Sequence, residues 1–112
     1  MDDEIEFVST LAERLSLRGI EADWANSAEK AFEYAEKNNY DLAVLDVKMP
    51  RIGGIELKQS LEKICEGLRF IYLTGHGSEA DYRAGSAEAV HYLVKPVHID
   101  ALIEKMKETL GQ

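Results

Sequence analysis

The chain has 112 residues, 46% of them hydrophobic, and a formal net charge of −8 at pH 7. A chain of this length forms one domain that buries roughly two-thirds of its unfolded surface and folds without disulfides or metals. The acidic charge, with no clusters of Lys and Arg, argues against direct nucleic-acid binding. One cysteine excludes an intramolecular disulfide, and no membrane span or leader peptide is evident, so we expect a soluble, cytoplasmic protein.

Apolar residues spaced three and four apart predict a first helix over 5–18, which ends at Gly19. The residues of this stripe are Ile5, Val8, Ala12 and Leu15. Alternating apolar and acidic residues over 20–24 then predict a short strand near a sheet edge. Ser27 is a suitable N-cap for a second helix over 28–37. Its predicted buried stripe comprises Ala28, Ala31, Phe32 and Ala35.

Two continuous apolar runs predict strands that are buried on both faces. The first, over 42–45, ends at Asp46, and the second, over 70–73, ends at Thr74. Between them we expect a loop over 49–54 and then a helix that carries Leu57, Leu61 and Ile64.

The remainder of the chain predicts two helices and a strand. The segment 78–89 is a weak helix with a small apolar face and a glycine in its middle. A strand over 90–94 and the turn Lys95-Pro96 lead to a last helix over 100–110, whose inward side chains are Ile103, Met106 and Leu110.

A helix followed by four alternations of strand and helix predicts an α/β fold with a doubly wound parallel sheet. In such sheets ligands bind at the carboxyl ends of the strands. Three polar residues, Asp46, Thr74 and Lys95, each follow directly on a predicted strand. We therefore expect these residues to form a site.

The residue types at this site suit phosphoryl transfer. Carboxylates of Asp2, Asp3 and Asp46, gathered at one edge, would repel one another unless they held a hard cation such as Mg²⁺. The Thr74 hydroxyl and the Lys95 ammonium would complement phosphoryl oxygens. Asp46 is then the acceptor carboxylate, and positioning and charge supply most of the catalysis.

Four motifs in this sequence resemble the receiver domain of bacterial two-component response regulators. They are Asp2-Asp3-Glu4, Asp46-Val47-Lys48-Met49-Pro50 with Gly53-Gly54, Thr74-Gly75, and Tyr92-Leu93-Val94-Lys95-Pro96. They occur in the family's order and at nearly its spacing, over almost the whole chain. The resemblance implies a flavodoxin-like domain over 1–112 that signals through phosphorylation and is not a turnover enzyme, although it assists its own phosphorylation and dephosphorylation.

The resemblance also implies roles for individual residues. Asp46 would take a phosphoryl group from a histidine of a sensor kinase or a phosphotransfer protein. Mg²⁺ would be held by Asp3 and Asp46, by Asp2 through water, and by the backbone carbonyl of Lys48. Thr74 and Lys95 would contact the phosphoryl group, with a cis peptide before Pro96.

Further roles concern the response to phosphorylation. Tyr92 would be a switch aromatic that turns inward when Thr74 moves toward the phosphate. Lys48 and His76 stand at positions that tune the lifetime of the phosphoryl group in the family. The output surface would comprise the last helix, the last strand and the segment 78–89.

The front of the chain departs from the family. Receivers begin with a central apolar strand that ends at the acidic pair, but here only Met1 precedes Asp2. We therefore expect an N-terminally truncated receiver without its first strand, whose sheet is rearranged or completed by another copy of the chain. The interval from Thr74 to Lys95 is one residue short, and Glu88 replaces a common glycine, so the fourth helix is expected to be short or irregular.

Other interpretations stay open. Asp2 and Asp3 would also suit a helix start, Asp46 a loop cap, and Tyr92 simple packing. A haloacid-dehalogenase-type phosphatase is disfavoured, because Lys48 stands where that class needs a second acid. The main alternative is a receiver-like module that binds or assembles independently of phosphorylation. Three histidines show no metal-ligand spacing and are excluded from the site: His76, His91 and His98.

Overall fold

The computed structural model describes residues 1–46, 54–74 and 91–111. Four helices lie in this part of the chain: α1 (Ile5–Leu17), α2 (Ala28–Lys37), α3 (Gly54–Ile64) and α4 (Ile99–Leu110). The three strands are β1 (Leu42–Asp46), β2 (Arg69–Thr74) and β3 (His91–Val94). Each lies within one residue of its predicted bounds.

The three strands form a parallel sheet in the order β1-β2-β3. Leu45 of β1 pairs with Tyr72 of β2, and Thr74 pairs with Val94 of β3. Parallel pairing brings the carboxyl ends of all three strands to one edge, so the predicted site residues follow neighbouring strand ends. In the part of the chain that the structure describes, β2 is central and β1 lies at an edge.

Apolar clusters cover both faces of the sheet. Phe70 and Tyr72 of β2 pack on one side with α2 and α3, whereas Ile71 packs on the other side with Leu15 of α1 and Leu102 of α4. Because successive strand residues point to opposite faces, a strand buried on both sides must be apolar throughout. The predicted doubly wound arrangement is therefore confirmed for these elements.

Local signals explain where α2 begins and where α1 and α4 end. The Ser27 hydroxyl accepts a hydrogen bond from the Lys30 N–H at 3.3 Å, which caps the start of α2 as predicted. Gly19 follows α1 with a φ of +81°, and Gly111 ends α4 with a φ of +78°. Residues other than glycine adopt this left-handed backbone conformation only at a cost in free energy, which explains why glycine stands at both positions.

Three details differ from the sequence predictions. The segment 20–24 is not a strand, because it makes no ladder with β1 among the described residues; Ile20 and Ala22 still pack against the core. Ile5 is 50% exposed, so the buried face of α1 begins at Val8. In α4 the fully buried apolar residue is Leu102, and the predicted Ile103 and Met106 flank it, partly buried.

Several predictions lie outside the described residues. They concern residues 49–53 of the predicted loop, the helix over 78–89, Lys48 and His76. Within the described ranges, no helix is both long and apolar enough to cross a bilayer.

Candidate functional site at the carboxyl edge of the sheet

Asp46 ends β1 and is buried, with 6% of its surface exposed. Its backbone N–H donates to the carbonyl oxygen of Met1 at 3.0 Å, and the Met1 amino group donates to the Val44 carbonyl at 2.6 Å. These two hydrogen bonds tie the start of the chain to the end of β1. They place the acidic pair that follows Met1 beside Asp46.

Asp2 is fully buried and is fixed by backbone hydrogen bonds. Its N–H donates to the Ala25 carbonyl at 3.2 Å, and its Oδ1 accepts the Glu4 N–H at 3.0 Å just before α1. The side chain thus satisfies a backbone donor near the helix start, a role that short acidic side chains commonly fill. Its second oxygen, Oδ2, faces the site.

Lys95 follows β3 and extends its side chain into the acidic cluster. Its N–H donates to the Thr74 carbonyl at 2.6 Å, which holds the turn against β2. Its Nζ lies 2.7 Å from Asp2 Oδ2 and 3.7 Å from Asp46 Oδ2. The ammonium therefore joins the two buried carboxylates in one ion-paired group.

Two residues outside the predicted set also contact Lys95. Glu4 Oε1 lies 3.4 Å from Nζ, and the Phe7 ring centroid lies 4.9 Å from it. An ammonium over an aromatic face is attracted by the ring's electrons. The acidic run at the start of the chain hinted at Glu4, whereas no sequence signal indicated Phe7 or the backbone role of Met1, because both depend on contacts with residues distant in the chain.

The electrostatics of the site favour positive charge on Lys95. Partial burial works to lower the pKa of Lys95, but the hydrogen bond to Asp2 and the charges of Asp46, Asp2 and Glu4 outweigh it and raise that pKa. Burial lowers the pKa of the Met1 amino group from 8.0 to about 6, although the charges of Asp2 and Asp46 oppose the shift. Lys95 therefore carries its positive charge at neutral pH.

The carboxylates of Asp2, Asp3 and Asp46 form a group that would fit a cation. One oxygen from each lies within 4.8 Å of the others. Asp2 Oδ2 is buried, and the Lys95 ammonium that faces it lies 2.7 Å away. Oxygen ligands that include an exposed carboxylate, Asp3, suit a hard ion such as Mg²⁺ that keeps several waters.

The remaining predicted residues occupy the same edge or its surroundings. Thr74 is buried at the end of β2, one residue beyond the partner of Asp46 in the ladder. Tyr92 lies in β3 with 39% of its surface exposed. The Lys95-Pro96 peptide is cis, as predicted. His91 and His98 are absent from the carboxylate group found among the described residues, and Lys48 lies outside them.

The sequence profile of the response regulator receiver domain matches residues 1–107. The chain belongs to this family. Among the receiver's relatives, the transcriptional regulatory protein GlrR of Escherichia coli (strain K12) is 30% identical over 113 residues, a match that covers 100% of this chain and 26% of GlrR. The receiver thus spans about a quarter of that relative's length.

Solved structures of response regulators share the receiver's fold. TrrA of Thermotoga maritima, in complex with Mg²⁺ and BeF, is 36% identical with a TM-score of 0.80, and the match covers 97% of this chain and 94% of that one. A response regulator from Burkholderia pseudomallei with a phosphorylated aspartic acid, a calcium ion and citrate is 25% identical, with a TM-score of 0.83 and coverage of 98% and 65%. These matches confirm the predicted flavodoxin-like receiver fold.

Proposed function

We propose that this receiver accepts a phosphoryl group on Asp46 from a histidine of a sensor kinase or a phosphotransfer protein. The observation that carries the proposal is the convergence at one sheet edge of Asp46, the acidic pair and the Lys95 ammonium, 3.7 Å from Asp46 Oδ2. A carboxylate with this surrounding charge has the positioning and the electrostatic stabilisation that phosphoryl transfer requires.

In the proposed step, a carboxylate oxygen of Asp46 attacks the phosphorus of the phosphohistidine. A P–O bond forms, the P–N bond breaks, and its electron pair returns to the imidazole nitrogen, which takes up a proton. Lys95 remains an ammonium and offsets the charge of the phosphoryl oxygens. Thr74, at the end of the neighbouring strand, is proposed to donate a hydrogen bond to one of those oxygens.

Mg²⁺ is the proposed cofactor. Asp3 and Asp46 would hold it directly, Asp2 through water, and Lys48 through its backbone carbonyl. The ion would supply positive charge between the carboxylates and the incoming phosphoryl group. Lys95 keeps Asp2 paired and oriented, at 2.7 Å from its Oδ2, and Asp3 stays exposed.

We propose that phosphorylation changes the receiver's contacts with other proteins. Thr74 and Tyr92 are the proposed switch pair, since they stand on adjacent strands and Tyr72 is the ladder partner of Tyr92. The output surface is proposed on β3 and α4, where Val94 is 51% exposed.

The test is incubation with acetyl phosphate and Mg²⁺, followed by intact-mass measurement. The wild-type chain is expected to gain the mass of one phosphoryl group, and Asp46→Asn is expected to gain none. Asp41→Asn, which alters an exposed acid outside the site, is the matched control and should label as wild type does. Equal labelling of wild type and Asp46→Asn would overturn the assignment.

Two finer predictions about the whole domain remain proposals: that 1–112 is a receiver without its first strand, and that another copy completes the sheet. The edge position of β1 supports the first. Sedimentation at several concentrations tests the second, and a compact monomer throughout would contradict it. A binding module that assembles independently of phosphorylation would show this association with Asp46→Asn as well.

A further inference from the structure

Glu4 stands at the start of α1, and its side chain does not serve that helix. Its backbone occupies the N-cap position, where its carbonyl accepts the Val8 N–H at 3.0 Å and its N–H donates to Asp2 Oδ1 at 3.0 Å. Its side chain makes no capping hydrogen bond within the described chain. Short polar side chains commonly fill the N-cap, whereas this longer carboxylate reaches another partner.

The partner of the Glu4 carboxylate is Lys95, which lies 91 positions away in the chain. Glu4 Oε1 lies 3.4 Å from Lys95 Nζ and accepts a hydrogen bond from the ammonium. The Phe7 ring centroid lies 4.9 Å from the same Nζ. Because Glu4 and Phe7 are three residues apart, they face the same side of the helix start. The start of α1 thus contacts Lys95 with one charged and one aromatic group.

The Lys95 ammonium lies nearer to two other carboxylates than to the proposed phosphoacceptor. Its Nζ is 2.7 Å from Asp2 Oδ2, 3.4 Å from Glu4 Oε1 and 3.7 Å from Asp46 Oδ2. In the proposed function this ammonium pairs with the oxygens of a phosphoryl group on Asp46. Lys95 must therefore give up part of its present pairing when a phosphoryl group arrives.

Of the two nearer partners, Glu4 is the easier one for Lys95 to leave. The Asp2 side chain is 1% exposed, so the loss of its cation would leave a buried charge unpaired. The Glu4 side chain is 67% exposed, and water can solvate its carboxylate once the pair separates. The pair with Glu4 is thus the contact that breaks.

We propose that Glu4 is a positioning residue that competes with the phosphoryl group for the Lys95 ammonium and so slows phosphorylation of Asp46. This inference rests on the proposed function and deepens it. In the reaction with acetyl phosphate, an Asp46 oxygen forms a P–O bond, and acetate leaves with the electron pair of the P–O bond that breaks. Lys95 stabilises this step fully only after it has moved from Glu4 toward the phosphoryl oxygens.

The decisive variant is Glu4→Gln, which keeps the size of the side chain and removes its charge. The matched control is Glu6→Gln. Glu6 is exposed in the first turn of the same helix and is not among the ion-pair partners of Lys95 found in the described chain. Both variants remove one negative charge near the positive end of α1. A difference between them therefore reports the contact with Lys95.

Two measurements are made at saturating Mg²⁺ and low salt. In the first, beryllofluoride, an anion that resembles a phosphoryl group, is titrated while NMR follows the Lys95 ammonium signal, which Lys95→Arg assigns. The second is the initial rate of labelling by acetyl phosphate. Relative to Glu6→Gln, Glu4→Gln is expected to lower the titration midpoint about threefold and to raise the rate by a similar factor.

Both differences should shrink at about 0.5 M salt, because salt screens an exposed ion pair. A change in the helix start alone would persist there, and such persistence would contradict the proposal. An unchanged or raised midpoint in Glu4→Gln would overturn it, as would unchanged or slower labelling of Asp46 where the control is labelled. A lowered midpoint with no labelling of any version would instead contradict the proposed function and support the competition of Glu4 for Lys95.

Discussion

Two neighbouring strands of one sheet have similar sequences and different surroundings. In β2, Ile71, Tyr72 and Leu73 are each at most 1% exposed. In β1, residues 42–44 are equally apolar but only half-buried, and burial is reached only at Leu45 and Asp46. Both strands have helices on their two faces, so the difference lies in their edges: among the described strands, β2 has a neighbour on both sides and β1 on one.

An apolar strand is therefore buried by its strand neighbours as well as by its helices. Helix side chains cover the faces of a strand, whereas another strand closes its edge and satisfies the backbone. At the Asp46 end of β1, Met1 supplies that neighbour, and burial is complete there. The site is thus assembled at the closed end of an otherwise open edge.

The largest expected effect is a difference between two leucine truncations. Leu73→Ala in β2 should lower the free energy of unfolding by about 3 to 4 kcal/mol, since it removes a fully buried side chain and leaves a cavity. Leu42→Ala in β1 should cost only about 1 kcal/mol, because its side chain is half-exposed. Urea unfolding measures both, and equal losses would contradict the comparison.

The ion pair between Lys95 and Asp2 at the site gives the next largest effect. Lys95→Met leaves buried Asp2 without its cation, so we expect a loss of about 2 kcal/mol, moderated by the partial exposure of Lys95. The double variant with Asp2→Asn should recover most of that loss, because no uncompensated charge remains. Unfolding in chelator-containing buffer measures the cycle, and additive losses would show that Asp2 does not depend on Lys95.

The smallest expected effect concerns the side-chain contact between Tyr40, which lies just before β1, and Asp23. The Tyr40 hydroxyl donates to Asp23 Oδ2 at 2.5 Å, and Asp23 belongs to the segment 20–25. Tyr40→Phe should cost about 0.5 kcal/mol at neutral pH, as urea unfolding would show. Its matched control is Tyr34→Phe, which leaves that hydrogen bond in place.

The same contact predicts a pH dependence. Burial, followed by the hydrogen bond to Asp23 and the charge of Asp23, raises the pKa of Tyr40 from 10.0 to about 12. The folded state therefore holds the phenol proton more tightly than the unfolded state, so this contribution is complete below pH 10 and is lost as the pH rises to about 12. Ultraviolet titration of wild type against Tyr40→Phe measures it, and a Tyr40 that ionises near pH 10 would contradict it.

Local patterns were enough to predict the helices and strands that the structure describes, with one false strand over 20–24, and the sheet edge where Asp46, Thr74 and Lys95 lie. The apolar runs before Asp46 and Thr74 form strands, and Ser27 caps α2, because both features depend on short-range sequence. Parallel order then placed Asp46, Thr74 and Lys95 at one edge.

Features that depend on distant neighbours could not be predicted. The alternation over 20–24 resembles a strand, but a strand forms only with a ladder partner, and none of the described residues supplies one. Helical spacing shows that α1 is amphipathic without fixing its rotation, so Ile5 was expected inside and lies outside. In α4, adjacent apolar residues left the choice between Leu102 and Ile103 to packing.

We propose Asp46, at the closed end of β1, as the phosphoacceptor. Borohydride reduction of the acetyl-phosphate-treated chain tests it most directly, because an acyl phosphate of aspartate is reduced to homoserine, which peptide mass spectrometry locates. We expect homoserine at position 46 in the Mg²⁺-treated chain and none when Mg²⁺ is chelated. Homoserine at Asp2 or Asp3, or at no position under conditions that label another receiver, would contradict it.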